Sequence, residues 1–266
     1  MKRNTLFMLA IIALLILAGC GTGNEDNWDL PDRIAVYDGQ GGWHESAVAA
    51  KAALENDGRT VDLVDENDIQ SDFSDTYGIL VMTGEDPREI LAALGTTGRF
   101  AIQDHVERGG GFIGLGVGCY VAADSMSWNN LPMIDQPLGL YHGVATGPII
   151  TLATAGNQVM ASVSPSDILF NPELYSTLYV LYRGGPRMIV QSPSASSLGT
   201  YDLANNYTAA LRFTTGAGRV VLFGVQPEFE ENSSRDNTNW GSSLSDPESE
   251  WFWLQIAAQW CFHEAI

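Results

Sequence analysis

The segment from Gly109 to Ala123, GGGFIGLGVGCYVAA, constrains the fold more than any other part of the sequence. Its apolar run between glycines predicts a buried strand ending at Leu115, a sharp turn at Gly116 and a helix that starts near Val117. Ligands of open α/β sheets bind at this carboxyl edge of the strands. We therefore expect a site at Gly116, with the free N–H groups of Val117 and Gly118 as donors.

Apolar strands alternate with helical patterns in the first half of the chain. The sequence predicts strands at 33–38, 60–65 and 77–83, and helices at 45–58 and 96–110. This alternation is typical of an α/β domain with a flavodoxin-like, doubly wound and mainly parallel sheet.

The second half has stronger strand signals. Strands are predicted at 188–191, 208–213 and 219–225, and the TGAG turn between the last two indicates a β-hairpin extension of the sheet. The closing segment, 247–266, predicts an aromatic helix. Its core-facing positions at helical spacing are Trp253, Ile256, Ala257 and Trp260.

The N-terminus has the pattern of a secretory signal. Lys2 and Arg3 precede an apolar run at 6–18, which is too short to span a bilayer comfortably. The run ends in LAGC, which resembles a bacterial lipobox and implies lipid attachment to Cys20. An uncleaved anchor helix is the alternative. We predict a signal peptide at 1–19, a tether at 20–30 and one domain at 31–266.

The lipobox resemblance implies an extracytoplasmic protein anchored in the cell envelope. Gly21, rather than aspartate, follows Cys20. In a Gram-negative cell this favours the periplasmic face of the outer membrane. Lys and Arg number 13 against 32 Asp and Glu, for a net charge of −19. Such a surface repels nucleic acids and anionic lipid headgroups, so the lipid is the expected contact with the membrane.

Five motifs in order resemble one family across nearly the whole mature chain. They are IAVYDGQG (34–41), FAIQDHVERGGGFIGLGVGCYVAA (100–123), GLYHGVATGPI (139–149), LYRGGP (181–186) and TAALRFTTGAGRVVLFGVQPEFE (208–230). Together they resemble the class I glutamine amidotransferase-like superfamily, and most closely the N-terminal domain of biotin–protein ligases. The resemblance implies a flavodoxin-like fold with a cysteine nucleophile at the turn, a histidine base and a glutamate that orients the base.

This chain departs from that pattern at both catalytic positions. The nucleophile position falls on Gly116 and the base position on Gln226, an amide that cannot take a proton at neutral pH. Only the glutamate, Glu228, is kept. We therefore expect a non-catalytic protein with a ligand-binding or scaffold role, and no cofactor. No group of side chains has metal-site spacing.

The expected ligand is small and carries a carbonyl or an anionic group. Because the thiol is missing, we expect open space above Val117 and Gly118. Gln226 is expected to donate a hydrogen bond to the ligand from one side of the cleft. Gln40 and His142 are expected to line the same cleft.

Two other functions remain open. A rewired hydrolase or amidase would use Cys119 or His44 with Glu228. Cys119, however, follows the turn by three residues and projects about 300° around the helix from Gly116, which favours a buried packing role. A structural envelope protein without a ligand is the other alternative. A disulfide between Cys119 and Cys261 also stays open, since the compartment allows it.

Asp86 has two interpretations as well. It lies after the third predicted strand, near the position where the family builds its oxyanion hole. The following Pro87 instead favours Asp86 as a helix N-cap.

Overall fold

A computed structural model describes residues 30–264, apart from 136, 155, 168–169, 171–174, 192–194, 242 and 247. The predicted signal peptide and nearly all of the predicted tether, including Cys20, lie outside the described residues. In the part described, no helix is long and apolar enough to cross a membrane.

The described residues form strands and helices in the order that the sequence predicts for the first half. The strands are β1 (Arg33–Tyr37), β2 (Thr60–Val64), β3 (Ile79–Met82), β4 (Gly111–Leu115), β5 (Ala123–Trp128), β6 (Ile134–Asp135), β7 (Tyr141–Gly147), β8 (Val159–Pro165), β9 (Leu178–Tyr182), β10 (Arg187–Val190), β11 (Ser196–Tyr201), β12 (Thr208–Thr215) and β13 (Gly218–Phe223). The helices are α1 (His44–Asn56), α2 (Glu66–Ile69), α3 (Phe73–Thr76), α4 (Pro87–Glu107), α5 (Gly118–Ala122) and α6 (Trp251–Cys261).

The sheet has a parallel part and a mixed part, in which most pairings are antiparallel but β5 and β7 are parallel. Strands β2, β1, β3, β4 and β13 lie side by side in this order, and all four pairings are parallel. The predicted α/β domain with a flavodoxin-like parallel sheet is confirmed. Strand β13 then pairs with β12 in the predicted hairpin. From β12 the sheet continues through β10, β7, β5 and β6, with β11, β8 and β9 branching from it.

Helices cover both faces of the parallel strands, as a doubly wound sheet requires. Helices α1 and α6 pack together on one face, in a core that includes Ile34, Val81 and Trp253. Helices α4 and α5 pack on the other face, in a core with Leu80 and Tyr120. The predicted aromatic stripe is confirmed as core: Trp253, Ile256, Ala257 and Trp260 are all buried.

Candidate functional site

The turn at Gly116 has the geometry of a nucleophile elbow. Its φ angle is +51°, a left-handed value that glycine adopts without a Cβ penalty. Its N–H donates to the carbonyl of Phe223 on β13 at 2.7 Å, which fixes the turn to the neighbouring strand. A Cβ at Gly118 would lie 2.1 Å from the carbonyl oxygen of Met82, so only glycine lets α5 pack this closely against β3. The elbow therefore sits at the carboxyl edge of β4, as the sequence predicts.

The space beside Gly116 is filled by the side chain of Gln226. A Cβ built on Gly116 would lie 2.4 Å from Nε2 of Gln226. The amide is buried, accepts from the N–H of Arg183 at 2.8 Å and donates to the carbonyl of Arg183 at 2.9 Å. The expected open space above the elbow is therefore absent. Oε1 and one N–H of the amide bind the backbone of Arg183, which fixes this side chain beside the elbow.

Three buried tyrosines fix the rest of the turn at 183–186. The hydroxyl of Tyr120 donates to the carbonyl of Gly184 at 3.0 Å. The hydroxyls of Tyr182 and Tyr201 donate to the next two carbonyls, at 2.8 and 3.2 Å. With Gln226, these side chains satisfy the polar backbone of a turn that contains no regular secondary structure. The turn therefore holds Arg183 in a defined place beside the elbow.

The guanidinium of Arg183 lies among aromatic and acidic groups. Its Nη2 is 3.0 Å from Oε1 of Glu85. Its central carbon lies 4.4 Å from the ring centre of Trp43 and 4.9 Å from that of Trp240, both within the range of cation–π attraction. The side chain is four-fifths buried. Arg183 thus links the elbow to the two tryptophans.

A cleft opens between the elbow and this arginine. Its volume is about 210 Å³. The lining residues are Gly84, Glu85, Val117, Trp128, Asn129, Pro148, Gly156, Arg183 and Gly184. Pockets for drug-sized ligands are larger, at about 300–1,000 Å³. Among the expected ligand contacts, Val117 lines this cleft directly, and Gly116 and Gly118 flank it in sequence.

In the loop after β3, the N–H groups of Glu85 and Asp86 are not free to bind an oxyanion. The N–H groups of Glu85 and Asp86 both donate to the carbonyl of Gly41, at 2.9 and 3.2 Å. The carboxylate of Asp86 accepts from the N–H groups of Arg88 and Glu89, at 2.8 and 3.4 Å. The N-cap interpretation of Asp86 is therefore confirmed, and this carboxylate points into its own helix rather than into the cleft.

Cys119 is a buried thiol under the elbow helix. It is fully buried, and its Sγ lies 3.5 Å from the carbonyl oxygen of Gly114, its hydrogen-bond partner. Burial, followed by the negative charge of Glu228, raises the pKa of Cys119 well above its ordinary value. A thiolate is therefore disfavoured, whereas nucleophilic cysteines have lowered pKa values. Cys119 and Cys261 are both free, so the two do not pair.

Glu228 keeps the family position but has a different partner. It is fully buried, and its Oε1 accepts from the hydroxyl of Ser46 on α1 at 2.6 Å. Burial raises the pKa of Glu228 to about 8, and the hydrogen bond from Ser46 partly offsets this effect. The group that the family uses to orient a base is here hydrogen bonded to a hydroxyl on a neighbouring helix.

His44, Gln40 and His142 are not among the residues that line the cleft. Nδ1 of His44 is 2.8 Å from Asp38, and this hydrogen bond raises the pKa of His44. His44 lines a separate pocket of about 480 Å³ together with Trp240. It is not placed to act as a base at Gly116.

The backbone N–H of Gln40 donates to the carboxylate of Glu66 at 3.1 Å. Nδ1 of His142 is 3.1 Å from Asp124. His142 lies six residues before Pro148, the β7-side residue of the cleft. At 3.3 Å per residue these two residues are about 20 Å apart. The expectation for His142 came from its place in the motif GLYHGVATGPI, and it is Pro148, near the other end of that motif, that lines the cleft.

Four residues of this site, Arg183, Glu85, Trp43 and Trp240, are not predicted from the sequence. Arg183 directly precedes the Gly-Gly turn of LYRGGP. That position is the one sequence feature that could have indicated a role for this arginine at the site. Trp240 is distant in sequence and has no such signal. In the described part of the chain, no three His, Cys, Asp or Glu side chains are placed to share a metal ion.

Comparisons with solved structures agree with the geometry. A candidate GMP synthase subunit from Thermoplasma acidophilum is 14% identical with a TM-score of 0.51, over 86% of this chain and 94% of that one. A ThuA-like protein from Parabacteroides merdae is 15% identical with a TM-score of 0.51, over 87% and 90%. A cytoplasmic protein from Salmonella typhimurium is 11% identical with a TM-score of 0.54, over 86% and 98%. At these identities the likeness concerns the fold alone.

The fold is a mixed α/β domain of the class I glutamine amidotransferase-like type. More narrowly, residues 32–249 match the family model for the N-terminal domain of biotin–protein ligase, and the chain belongs to that family. A search of curated proteins found no significant match.

Proposed function

We propose that this protein is a lipid-anchored, extracytoplasmic member of the family whose cleft does not catalyse hydrolysis. The observation that carries the proposal is the position of the Gln226 amide. It lies within 2.4 Å of the place where a nucleophile side chain would begin, and it is hydrogen bonded to Arg183 on both sides. A residue that fills this space and cannot accept a proton replaces both parts of a Cys-His pair.

The remaining groups support the same proposal. The thiol of Cys119 is buried with a raised pKa, and the carboxyl of Glu228 binds Ser46. His44 faces a different pocket. The rewired hydrolase therefore lacks a nucleophile and base in contact, which nucleophilic catalysis requires.

A small neutral carbonyl ligand fits the cleft better than an anion. The lining side chains that carry N–H donors are Arg183, Asn129 and Trp128. Glu85 is already paired with Arg183 and offsets its charge, and the whole protein carries a charge of −19. Carbonyl acceptors need a donor but no net positive field. We propose a ligand of a few heavy atoms, and a scaffold role if no ligand binds.

Thiol modification tests whether Cys119 is a nucleophile. We expect iodoacetamide to leave Cys119 unmodified in the native protein and to modify it fully in denaturant, because burial raises the pKa of the thiol and blocks access. Cys261 is the matched internal control, since it is also buried with a raised pKa. Mass spectrometry follows both peptides in one sample. Native modification of Cys119 that is much faster than that of Cys261 would revive the hydrolase alternative.

A further inference from the structure

The chain between β13 and α6 is unusually acidic for a buried segment. We name residues 229–250 the acidic strap. Within it, Arg235 is the only basic residue. The buried acidic side chains of the strap are Glu230, Glu231, Asp236, Asp246 and Glu250.

Two of these acids have good partners. Glu230 accepts from the guanidinium of Arg235 at 2.7 Å and from the hydroxyl of Ser249. The carboxylate of Asp236 accepts from the N–H groups of Glu230 and Thr238, at 3.1 and 2.9 Å. These contacts fix the first half of the strap. They also pair Arg235 with Glu230.

The other three acids are buried with oxygens that no described residue contacts as a donor. Both carboxyl oxygens of Glu231, Oδ2 of Asp246 and Oε1 of Glu250 are in this state. The exposed fractions of the three residues are 5%, 5% and 1%. An isolated buried carboxylate is costly, so Glu231 and Glu250 favour the protonated form.

The charges around two of these groups favour the proton further. Burial raises the pKa of Glu231 to about 7, and Asp246, Glu230 and Asp236 add to the shift. Burial raises the pKa of Glu250 to about 9, with added contributions from Glu231, Asp246 and Glu230. The only cation of the strap, Arg235, is paired with Glu230.

Glu231 lies close to the part of the strap that contacts Arg183. Its Oε1 is 3.8 Å from the Cβ position of Gly241, whose φ angle is +75°. The preceding residue, Trp240, lies 5.1 Å from Trp43 in an edge-on arrangement and 4.9 Å from the guanidinium of Arg183. A charge on Glu231 would therefore lie next to Gly241, the neighbour of Trp240, which packs against Arg183.

We propose that the acidic strap is a proton-dependent latch on Arg183, a residue that lines the cleft. While Glu231 and Glu250 carry protons, the strap stays closed and holds Trp240 against Arg183. When they lose these protons, repulsion among Glu231, Asp246 and Glu250 loosens the strap and frees Arg183. The latch concerns the exposure of Arg183 and is independent of whether the cleft binds or converts a ligand.

The direction of the pH effect follows from linkage. Both carboxyls bind protons more tightly in the closed strap than at their ordinary pKa of 4.5. Their contribution is fully present below about pH 4.5, declines as the pH rises, and is lost once the pH passes the raised values near 7 and 9. The strap is thus expected to be closed in mild acid and loosened in mild alkali.

Hydrogen exchange measures the latch in the full chain. Protection factors of strap amides, corrected for intrinsic rates, are expected to fall at least about ten-fold between about pH 6 and pH 9. Those of β4 should stay constant. The variant with both Glu231→Gln and Glu250→Gln keeps the side-chain shape without the charge and is expected to stay protected at alkaline pH. If the double variant does not fold, Glu231→Gln alone is used. Glu248→Gln is the matched control, since Glu248 is an exposed acid of the same segment.

Arginine modification tests the link to the cleft. At a single alkaline pH, phenylglyoxal is expected to modify Arg183 several-fold faster in the wild type than in the double glutamine variant. Strap protection that is the same at both pH values would overturn the latch, as would equal modification rates of Arg183. Protection restored at alkaline pH by millimolar calcium would also overturn it, because the carboxylates would then bind a cation rather than protons.

Discussion

Replacing Gly116 by valine is expected to lower the free energy of unfolding by about 3–5 kcal/mol, a large part of the about 5–15 kcal/mol typical of a domain. Two effects add. The φ angle of +51° is strained for any residue with a Cβ, and that Cβ would lie 2.4 Å from Nε2 of Gln226. Because Gln226 is bonded to the backbone of Arg183, its amide cannot move away without losing two hydrogen bonds. Urea unfolding measures the change.

The smaller variant Gly116→Ala separates these two effects. Gly58→Ala is the matched control, since Gly58 has a φ angle of +80° and its Cβ position has no atom within 4 Å. We expect Gly58→Ala to cost about 1–2 kcal/mol and Gly116→Ala clearly more. In a Gln226→Ala background, the cost of Gly116→Ala should fall to that of the control. Equal costs in the unaltered background would mean that the amide does not occupy the nucleophile position.

Cys20→Ser is expected to move nearly all of the protein out of the membrane fraction of a bacterial host and to abolish labelling by a radioactive fatty acid. The lipobox cysteine is the attachment point that the sequence LAGC implies. Stable anchoring needs more than one acyl chain, and all of them depend on this residue. Fractionation and metabolic labelling measure the effect.

Cys119→Ser is the control for this experiment, because it removes a buried thiol in the folded domain and should leave labelling unchanged. The opposite result is a wild-type protein that takes up no fatty acid and still sediments with membranes through an intact N-terminal helix. That outcome would support the uncleaved anchor and remove the lipid from the proposal.

The parallel half of the fold could be predicted because local signals were strong there. Strand β3 is a continuous apolar run that is buried on both faces, and β4 ends at Leu115, directly before the glycine of the elbow. Beyond the hairpin, the strand predicted at 188–191 corresponds to β10, and the other strands were missed. Strands such as β8, VMASVSP, alternate between buried and half-buried small residues and carry no clear pattern. Their pairing depends on neighbours that are distant in sequence.

Only the part of the candidate site that is formed by residues close together in the sequence could be predicted. The elbow at Gly116 and the loss of nucleophile and base were visible in the sequence. The contact between Gln226 and Arg183 joins residues 43 positions apart, so the role of the amide depends on tertiary structure. The same holds for Trp240, which reaches Arg183 through the acidic strap. Histidine positions such as His142 could not be assigned, because strand direction decides which end of the sheet they occupy.

Gln226 stands where the family resemblance implies a histidine, and its amide holds the backbone of Arg183. An amide can donate and accept at once, which matches the N–H and carbonyl of Arg183. A neutral histidine offers one donor and one acceptor on opposite sides of a ring and cannot form the same pair. We infer that Gln226 stabilises the turn at 183–186 and so keeps Arg183 and Glu85 at the cleft.

The release of ammonia from glutamine and simple amides measures whether this family member has lost hydrolytic chemistry. We expect no release above the buffer rate for the wild type, and the same result for Cys119→Ala and Glu228→Gln. Measurable turnover that disappears in Cys119→Ala would instead show that the buried thiol is the nucleophile and that hydrolysis is retained.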